Sequence, residues 1–289
     1  SQDTFIAGDD DQAIFRWAGA DVDSFIAQKG TILNLTESVR IPRAIHNYVL
    51  SIIKKVSKRL HKKWSPRNHQ GSLTFHDNIK DINMSTGNWL ILARTRHMLN
   101  EVGDELKERG WYFENRFKKS GEKEIMECAT DWENLRKGHL LAYSQIEKIY
   151  QLISDKYVNK NKLKGMTKEG FYNLDTLKKD FELKTDAVWH EAFDAVDFRI
   201  KNYIKSLRRN GENLNEKPRI ILSTIHSYKG GEGDNVVLLT DLTTNTYRSY
   251  LKNPDDETRL FYVGATRTKD KLHIIRPKDY YKSFPMENI

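Results

Sequence analysis

Short, continuously apolar segments constrain the fold of this chain more than any other feature. Residues 89–93 (WLILA), 219–223 (RIILS) and 235–240 (NVVLLT) have the length and the branched aliphatic content of strands that are buried on both faces. Residues 271–275 are expected to form a last strand. Because such strands occur in parallel sheets covered by helices, the segments predict an α/β fold.

Helical periodicity fills much of the sequence around these strands. After Pro42, apolar residues recur every three or four positions, which predicts an amphipathic helix over residues 43–63 with lysines on its solvent face. Residues 97–109, ended by Gly110, and residues 255–268 predict two further helices.

A long segment without strand signals interrupts the α/β pattern. From residue 115 to residue 215 the sequence has helical patterns at 131–154 and 186–209, joined by polar segments rich in Lys, Asn and Gly. We interpret this segment as an inserted helical subdomain of roughly 100 residues, an ordinary size for a folding unit.

Charge is unevenly distributed along the chain, whose formal net charge is +8. Residues 1–40 contain seven acids and three bases, whereas residues 41–69 contain eight Lys or Arg and no acid. Such a basic stretch is either a solvated helix face or a contact surface for a polyanion such as a nucleic-acid backbone.

Composition argues against several other classes of protein. No apolar run approaches the roughly 20 residues of a membrane span, and the N-terminus has no secretory signal pattern, so we expect no membrane partner. Cys128 is the single cysteine, which excludes an intramolecular disulfide framework and offers no cluster for structural zinc. We therefore expect a cytoplasmic protein without a metal site in this chain.

Four segments could carry chemistry, and the first is GDDDQAIFRWAGA (residues 8–20), which follows an expected strand end at residues 5–7. Aspartates and a glutamine in that position can hold metal-bound water or sense a terminal phosphate. Trp17 near Phe15 is either a core or interface anchor or a platform on which a nucleic-acid base stacks.

Two further segments each present an arginine. Arg40 lies at a loop-to-helix junction in LTESVRIP, and Arg267 lies near a helix end in ETRLFYVGATRTKDKL. A guanidinium in either place can neutralise a transferring phosphoryl group. The alternatives are a surface ion pair for Arg40 and complementation of the helix dipole for Arg267.

The remaining segment is the glycine-rich stretch STIHSYKGGEGDNVVL (residues 223–238). Hydroxyls and backbone amides at the carboxyl end of a strand suit phosphate contacts, and a plain hairpin is the alternative. The Walker order G-x-x-x-x-G-K-[ST] is absent from it.

Taken in chain order, the four segments resemble motifs III (residues 8–20), IV (35–42), V (223–238) and VI (257–272) of superfamily 1 DNA helicases of the UvrD/Rep/PcrA type. Residues 90–114 also resemble the family stretch that precedes an inserted helical subdomain. The resemblance implies a RecA-like parallel sheet flanked by helices, as in P-loop NTPases. It also implies ATP and Mg²⁺ as cofactors, and single-stranded DNA and duplex junctions as partners.

The resemblance assigns roles to individual residues. Gln12 is similar to the glutamine that senses the γ-phosphate of ATP, and Arg40 and Arg267 to two arginines that reach the same phosphate. On the DNA side, Trp17 is similar to the aromatic on which a base stacks, with Phe15 as its neighbour. In the glycine-rich segment, Gly230 and Glu232 are similar to residues that contact the nucleotide. Thr224 and His226 are similar to residues that face the DNA strand.

The resemblance also implies a domain layout. Residues 1–30 would end a first RecA-like domain, residues 31–114 and 218–289 would form the second, and residues 115–217 would form the inserted helical subdomain. In this family the Walker A lysine and the Mg²⁺-binding acids precede motif III. We therefore expect a C-terminal fragment that holds no Mg²⁺ ligand and does not hydrolyse ATP by itself.

The sequence departs from the family pattern at two positions of the nucleotide side. Val39 replaces an aromatic that stacks on adenine, and Gly231 replaces a typical leucine. The expected parent is an ATP-dependent helicase that moves 3′ to 5′ and unwinds DNA in replication, recombination or repair. One alternative is a non-catalytic DNA-binding module with helicase architecture. A second alternative is the helicase-like half of a helicase–nuclease. It would need a nuclease signature, for which we expect no room near the C-terminus.

Overall fold

A computed structural model describes residues 4–118 and 121–287. Its α-helices are α1 (Val22–Ile26), α2 (Arg43–Ile53), α3 (Leu99–Arg109), α4 (Glu122–Arg136), α5 (Tyr143–Gln151), α6 (Leu174–Asp180), α7 (Trp189–Ala192), α8 (Phe198–Arg209), α9 (Thr244–Lys252) and α10 (Pro254–Ala265). Its β-strands are β1 (Ser72–His76), β2 (Trp89–Ala93), β3 (Phe113–Asn115), β4 (Leu141–Ala142), β5 (Phe171–Tyr172), β6 (Ile220–Thr224), β7 (Gly233–Leu239) and β8 (Thr268–Ile275). None of the helices in these ranges combines enough length with enough apolar character to cross a bilayer.

The chain forms two compact units. Unit 1 comprises the described residues within 1–106, 113–118 and 217–289, and unit 2 comprises those within 107–112 and 119–216. The domain boundaries expected after residues 30, 114 and 217 stay predictions.

Unit 1 is built on a six-stranded parallel sheet in the order β1-β8-β7-β2-β6-β3. The central strand β2 is buried along its whole length, with Ile91 paired to Val237 of β7 and to Leu222 of β6. Helices α2 and α10 bury Ile45 and Phe261 in the core that includes this sheet. The predicted α/β fold with a helix-flanked parallel sheet is confirmed.

Two predicted elements of unit 1 are wrong. The helix expected over residues 43–63 ends at Ile53, and the segment after it bonds instead to acidic side chains from elsewhere in unit 1, through Ser57, Arg59 and the Leu60 backbone N–H. The strand expected at residues 5–7 does not form, and Phe5 is exposed. An apolar strand of that type needs neighbouring strands to pair with, and the described part of the sheet ends at β1 and β3.

The sequence patterns did not predict the two edge strands, β1 and β3. β1 has the mixed sequence SLTFH and is only half-buried, and β3 has one buried residue among three. Edge strands face solvent and therefore lack the continuous apolar run by which the central strands are recognised. The helix expected to reach residue 268 ends at Ala265, and β8 begins at Thr268.

Unit 2 has its own core, formed around Trp132, Tyr150 and Phe193. The helix expected over residues 131–154 is interrupted at Gly138, whose φ of 91° lies in the left-handed region. Strands β4 and β5 form a short antiparallel pair after this break, in addition to the helices that the sequence predicts.

Candidate functional site

The three consecutive aspartates near the N-terminus are bonded to the basic segment that follows α2. Arg59 donates two hydrogen bonds to Asp11, from Nε at 2.8 Å and from Nη2 at 2.7 Å. The Lys62 ammonium pairs with all three carboxylates, including that of Asp9 at 2.9 Å. Asp10 and Asp11 are each only 1% exposed, so these ion pairs anchor the segment to unit 1.

In these ion pairs the three carboxylates are already bound to cationic side chains of the protein. Burial alone would raise the pKa of Asp9, but the charge of Lys62 and hydrogen bonds from Lys62 and Gln12 lower it below its usual value. Within residues 4–118 and 121–287, no group of three or more His, Cys, Asp or Glu side chains is placed to hold a metal ion. A Mg²⁺ ion at this site would therefore need ligands other than these aspartates.

Gln12 connects the acidic segment to Arg267. Its Nε2 donates a hydrogen bond to the Asp9 carboxylate at 2.6 Å, and its Oε1 accepts one from Nη2 of Arg267 at 3.3 Å. Two residues that the sequence analysis assigned to the same terminal phosphate thus lie in contact.

Arg267 lies two residues after the end of α10 and is 2% exposed. Its Nε donates to the Val263 carbonyl at 3.0 Å and its Nη1 to the Gly231 carbonyl at 3.3 Å. Burial, together with the charge of Arg40, lowers the pKa of Arg267 to about 10. Across the described residues no carboxylate forms an ion pair with this guanidinium, and the charges of Glu232 and Asp9 offset its burial only in part.

Arg40 supplies a second positive charge to the same place. Its Nε is buried and has no hydrogen-bond partner among the residues that the structure describes. Burial lowers the pKa of Arg40, against the opposing effect of Glu232 and Tyr262. Two neighbouring guanidinium groups with an unsatisfied donor suit an anion that offers several oxygens, such as a phosphate.

The other residues expected on the nucleotide side lie at the surface. Glu232 pairs with Lys269 at 3.2 Å, and Gly230 is an exposed turn residue with a φ of 92°. Val39, at the position of the adenine-stacking aromatic, is 93% exposed and provides no ring for a base.

An aromatic cluster lies beyond Gln12 along the chain. The ring centroids of Phe15 and Trp17 are 6.1 Å apart, and His226 lies 5.9 Å from Phe15 and 6.3 Å from Trp17. Trp17 is 77% exposed, so its role as a core anchor in unit 1 is excluded. An exposed indole braced by two rings can stack on a nucleic-acid base.

Thr224 at the end of β6 and His226 in the turn after it, which were both expected to face DNA, lie in different environments. Burial and the charge of Arg94 lower the pKa of His226 to about 4, so its ring is neutral near pH 7. The Thr224 side chain is buried, and its hydroxyl donates to Ser227 Oγ at 3.0 Å and accepts from the Ser227 backbone N–H. Thr224 therefore holds the turn that presents His226.

Sequence reasoning missed three charged residues near the site. Lys229 places its ammonium 5.2 Å from the Phe15 ring centroid, and burial and the charge of Arg267 lower its pKa. Arg94 follows β2 and donates to the buried Glu257 of α10, from Nε at 2.9 Å and Nη2 at 2.7 Å. Arg94 could have been found because it follows a predicted strand at the same sheet edge as the turn after β6.

Comparison with known families gives one match. Residues 22–279 match the model of the UvrD-like helicase C-terminal domain. No curated protein matches the chain.

Proposed function

The chain belongs to the family of UvrD-like helicase C-terminal domains, and from this premise we propose that it is the C-terminal motor half of an ATP-dependent DNA helicase. The parent protein would move 3′ to 5′ on single-stranded DNA and unwind duplex junctions during replication, recombination or repair. With its single cysteine, Cys128, the protein is suited to the cytoplasm.

The observation that carries this proposal is the contact between Gln12 and Arg267. Gln12 meets the arginine at 3.3 Å, and only three residues after Gln12 the chain enters the cluster of Phe15, Trp17 and His226. One short segment therefore touches both the cationic site and the stacking platform. A change in one would displace the other, which is what coupling of hydrolysis to movement along DNA requires.

The residues have distinct proposed roles at the nucleotide. Arg40 and Arg267 bind the γ-phosphate and neutralise the charge that develops during transfer, while Gln12 senses that phosphate. Gly230 and Glu232 contact the rest of the nucleotide. Mg²⁺, if bound there, would supply charge neutralisation between the phosphates.

The residues on the DNA side act by stacking and by charge. Trp17 stacks on a base, while Phe15 and the neutral His226 support its ring. The basic residues after α2 that remain at the surface, such as Lys55 and Lys63, contribute a salt-sensitive contact to the DNA backbone.

The experiment that tests the proposal compares two arginine substitutions in the parent protein. Arg267→Ala should abolish DNA-stimulated ATP hydrolysis and leave the affinity for single-stranded DNA within about twofold, because an arginine of this kind contributes roughly 10³–10⁵ to turnover. Arg248→Ala, on the exposed face of α9, is the matched control and should behave as wild type.

Two results would contradict the proposal. Unchanged hydrolysis in Arg267→Ala would remove the arginine from the nucleotide site. A parent that binds DNA through Trp17 but never hydrolyses ATP would instead support the alternative of a non-catalytic DNA-binding module.

A further inference from the structure

The ring of Tyr228 occupies the space that a side chain at position 231 would need. A Cβ atom added to Gly231 would overlap the Cε1 and Cδ1 atoms of this ring and would stand 2.9 Å from its Cζ. The backbone of Gly231 does not lie in the left-handed region, in contrast to that of Gly230, so conformation alone would permit alanine there. The ring is therefore what requires glycine at position 231.

The ring is held in place from several directions. Tyr228 packs against the main core of unit 1. The Arg116 guanidinium lies 5.4 Å from the ring centroid, and its Nη1 donates to the carbonyl of Ser227 at 3.3 Å. A ring confined by core, loop and cation cannot turn away cheaply from a new Cβ atom.

Gly231 in turn provides one of the acceptors that orient Arg267. Its carbonyl accepts from Nη1 of Arg267 at 3.3 Å, and its N–H donates to the Tyr228 carbonyl at 3.0 Å. The ring, the tight turn and the arginine thus form one continuous set of contacts. The glycine that departs from the family pattern belongs to this set.

We propose that Tyr228 is a positioning residue for Arg267: its ring keeps position 231 free of a side chain and thereby fixes the carbonyl that aims the guanidinium. The consequence for ATP hydrolysis rests on the proposed function, whereas the coupling between residues 228 and 231 does not. A leucine at position 231 would be compatible only with a smaller residue at position 228.

The test is a double-mutant cycle of Tyr228→Ala, Gly231→Ala and the double variant, with Tyr228→Phe as the matched control that keeps the ring. In the parent protein, Gly231→Ala should lower kcat roughly ten- to hundredfold, because a displacement of about 1 Å can cost 10²-fold. The Kd for single-stranded DNA should stay unchanged. In the Tyr228→Ala background, alanine at position 231 should cost nothing further, and Tyr228→Phe should match wild type.

A second measurement uses this chain alone and needs no ATP. Hydrogen exchange at Nε–H of Arg267, which is buried and bonded to Val263, should accelerate in Gly231→Ala and in Tyr228→Ala but not in Tyr228→Phe. The inference is overturned if alanine at position 231 has the same effect with and without the ring in both measurements. If instead Arg267→Ala leaves hydrolysis intact while the exchange rates follow the cycle, the proposed function fails and the positioning role stands.

Discussion

The Oε1 atom of Gln12 accepts a hydrogen bond from Nη2 of Arg267 at 3.3 Å, although 255 positions separate the two residues in the chain. The Gln12 amide also donates to Asp9, so its orientation is set from both ends. If Arg267 binds a phosphate as proposed, the Gln12 amide will lose or rearrange its bond to the arginine when the phosphate binds. Under the proposed function, Gln12 would transmit phosphate binding to the residues that follow it.

Substitution of Gln12 by alanine should uncouple the nucleotide side of the site from its DNA side. We expect Gln12→Ala to lower DNA-stimulated ATP hydrolysis by roughly 10²-fold, as for loss of one positioned polar group, while single-stranded DNA binds normally without nucleotide. The measurement is DNA affinity with and without a non-hydrolysable ATP analogue. A nucleotide-dependent change in affinity as large as that of wild type would show that Gln12 does not transmit the signal.

Substitution of Trp17 should weaken DNA binding without affecting stability. Loss of a stacked base costs about 1–3 kcal/mol, which corresponds to roughly 5- to 150-fold weaker binding of single-stranded DNA to Trp17→Ala. Because the indole is 77% exposed, the unfolding midpoint should not change. Tyr281→Ala removes another exposed ring of unit 1 and serves as control; equal losses of affinity in the two variants would exclude a specific stacking role.

The central sheet could be predicted because the apolar sequence of each inner strand identifies that strand by itself. Residues 89–93 form β2 over the expected range, since a strand buried on both faces must be apolar at every position. The edge strand β1 could not be predicted in this way, because its exposed positions dilute the apolar signal. Local patterns identify what is buried, and they do not identify which surface segment pairs at the edge.

The candidate site was predictable as a set of residues but not as a set of contacts. Arg40, Arg267 and Gln12 were found from their motifs, whereas the bond from Arg59 to Asp11 joins residues 48 positions apart. The predicted helix over residues 43–63 ends at Ile53 although Lys and Arg favour helices, since tertiary contacts such as this one override local propensity. Nothing in the spacing of these residues encodes their partners.

The ion pair between Asp11 and Arg59 should be important for the stability of unit 1. Asp11→Asn leaves a largely buried guanidinium without its counter-charge, and we expect a loss of about 3 kcal/mol in the free energy of unfolding. The exposed pair of Asp77 and Arg276 provides the control, since Asp77→Asn should cost less than about 1 kcal/mol. Chemical denaturation followed by circular dichroism checks both values, and similar losses would refute the anchoring role.

Histidine burial should make the stability of unit 1 depend on pH in the weakly acidic range. Burial, with the charges of His76 and Lys271, lowers the pKa of His273 to about 4, from an ordinary value of 6.5. Its Nδ1 is bonded to His76 at 2.9 Å, and its Nε2 is buried without a hydrogen-bond partner within the described residues. The folded protein therefore holds this ring neutral at a pH at which the unfolded chain already binds a proton.

The sign of the effect follows from that difference. Above pH 6.5 both states are neutral at His273 and its contribution is complete, and it declines as the pH falls from 6.5 towards 4, by at most about 1.4 kcal/mol per pH unit. His273→Phe preserves the contact with Trp89 and removes the titrating group, so its free energy of unfolding should fall less steeply between pH 6.5 and 4.5. Urea denaturation at several pH values measures both slopes. Equal slopes in the variant and the wild type would mean that His273 titrates alike in the folded and unfolded states, against the burial that the structure shows.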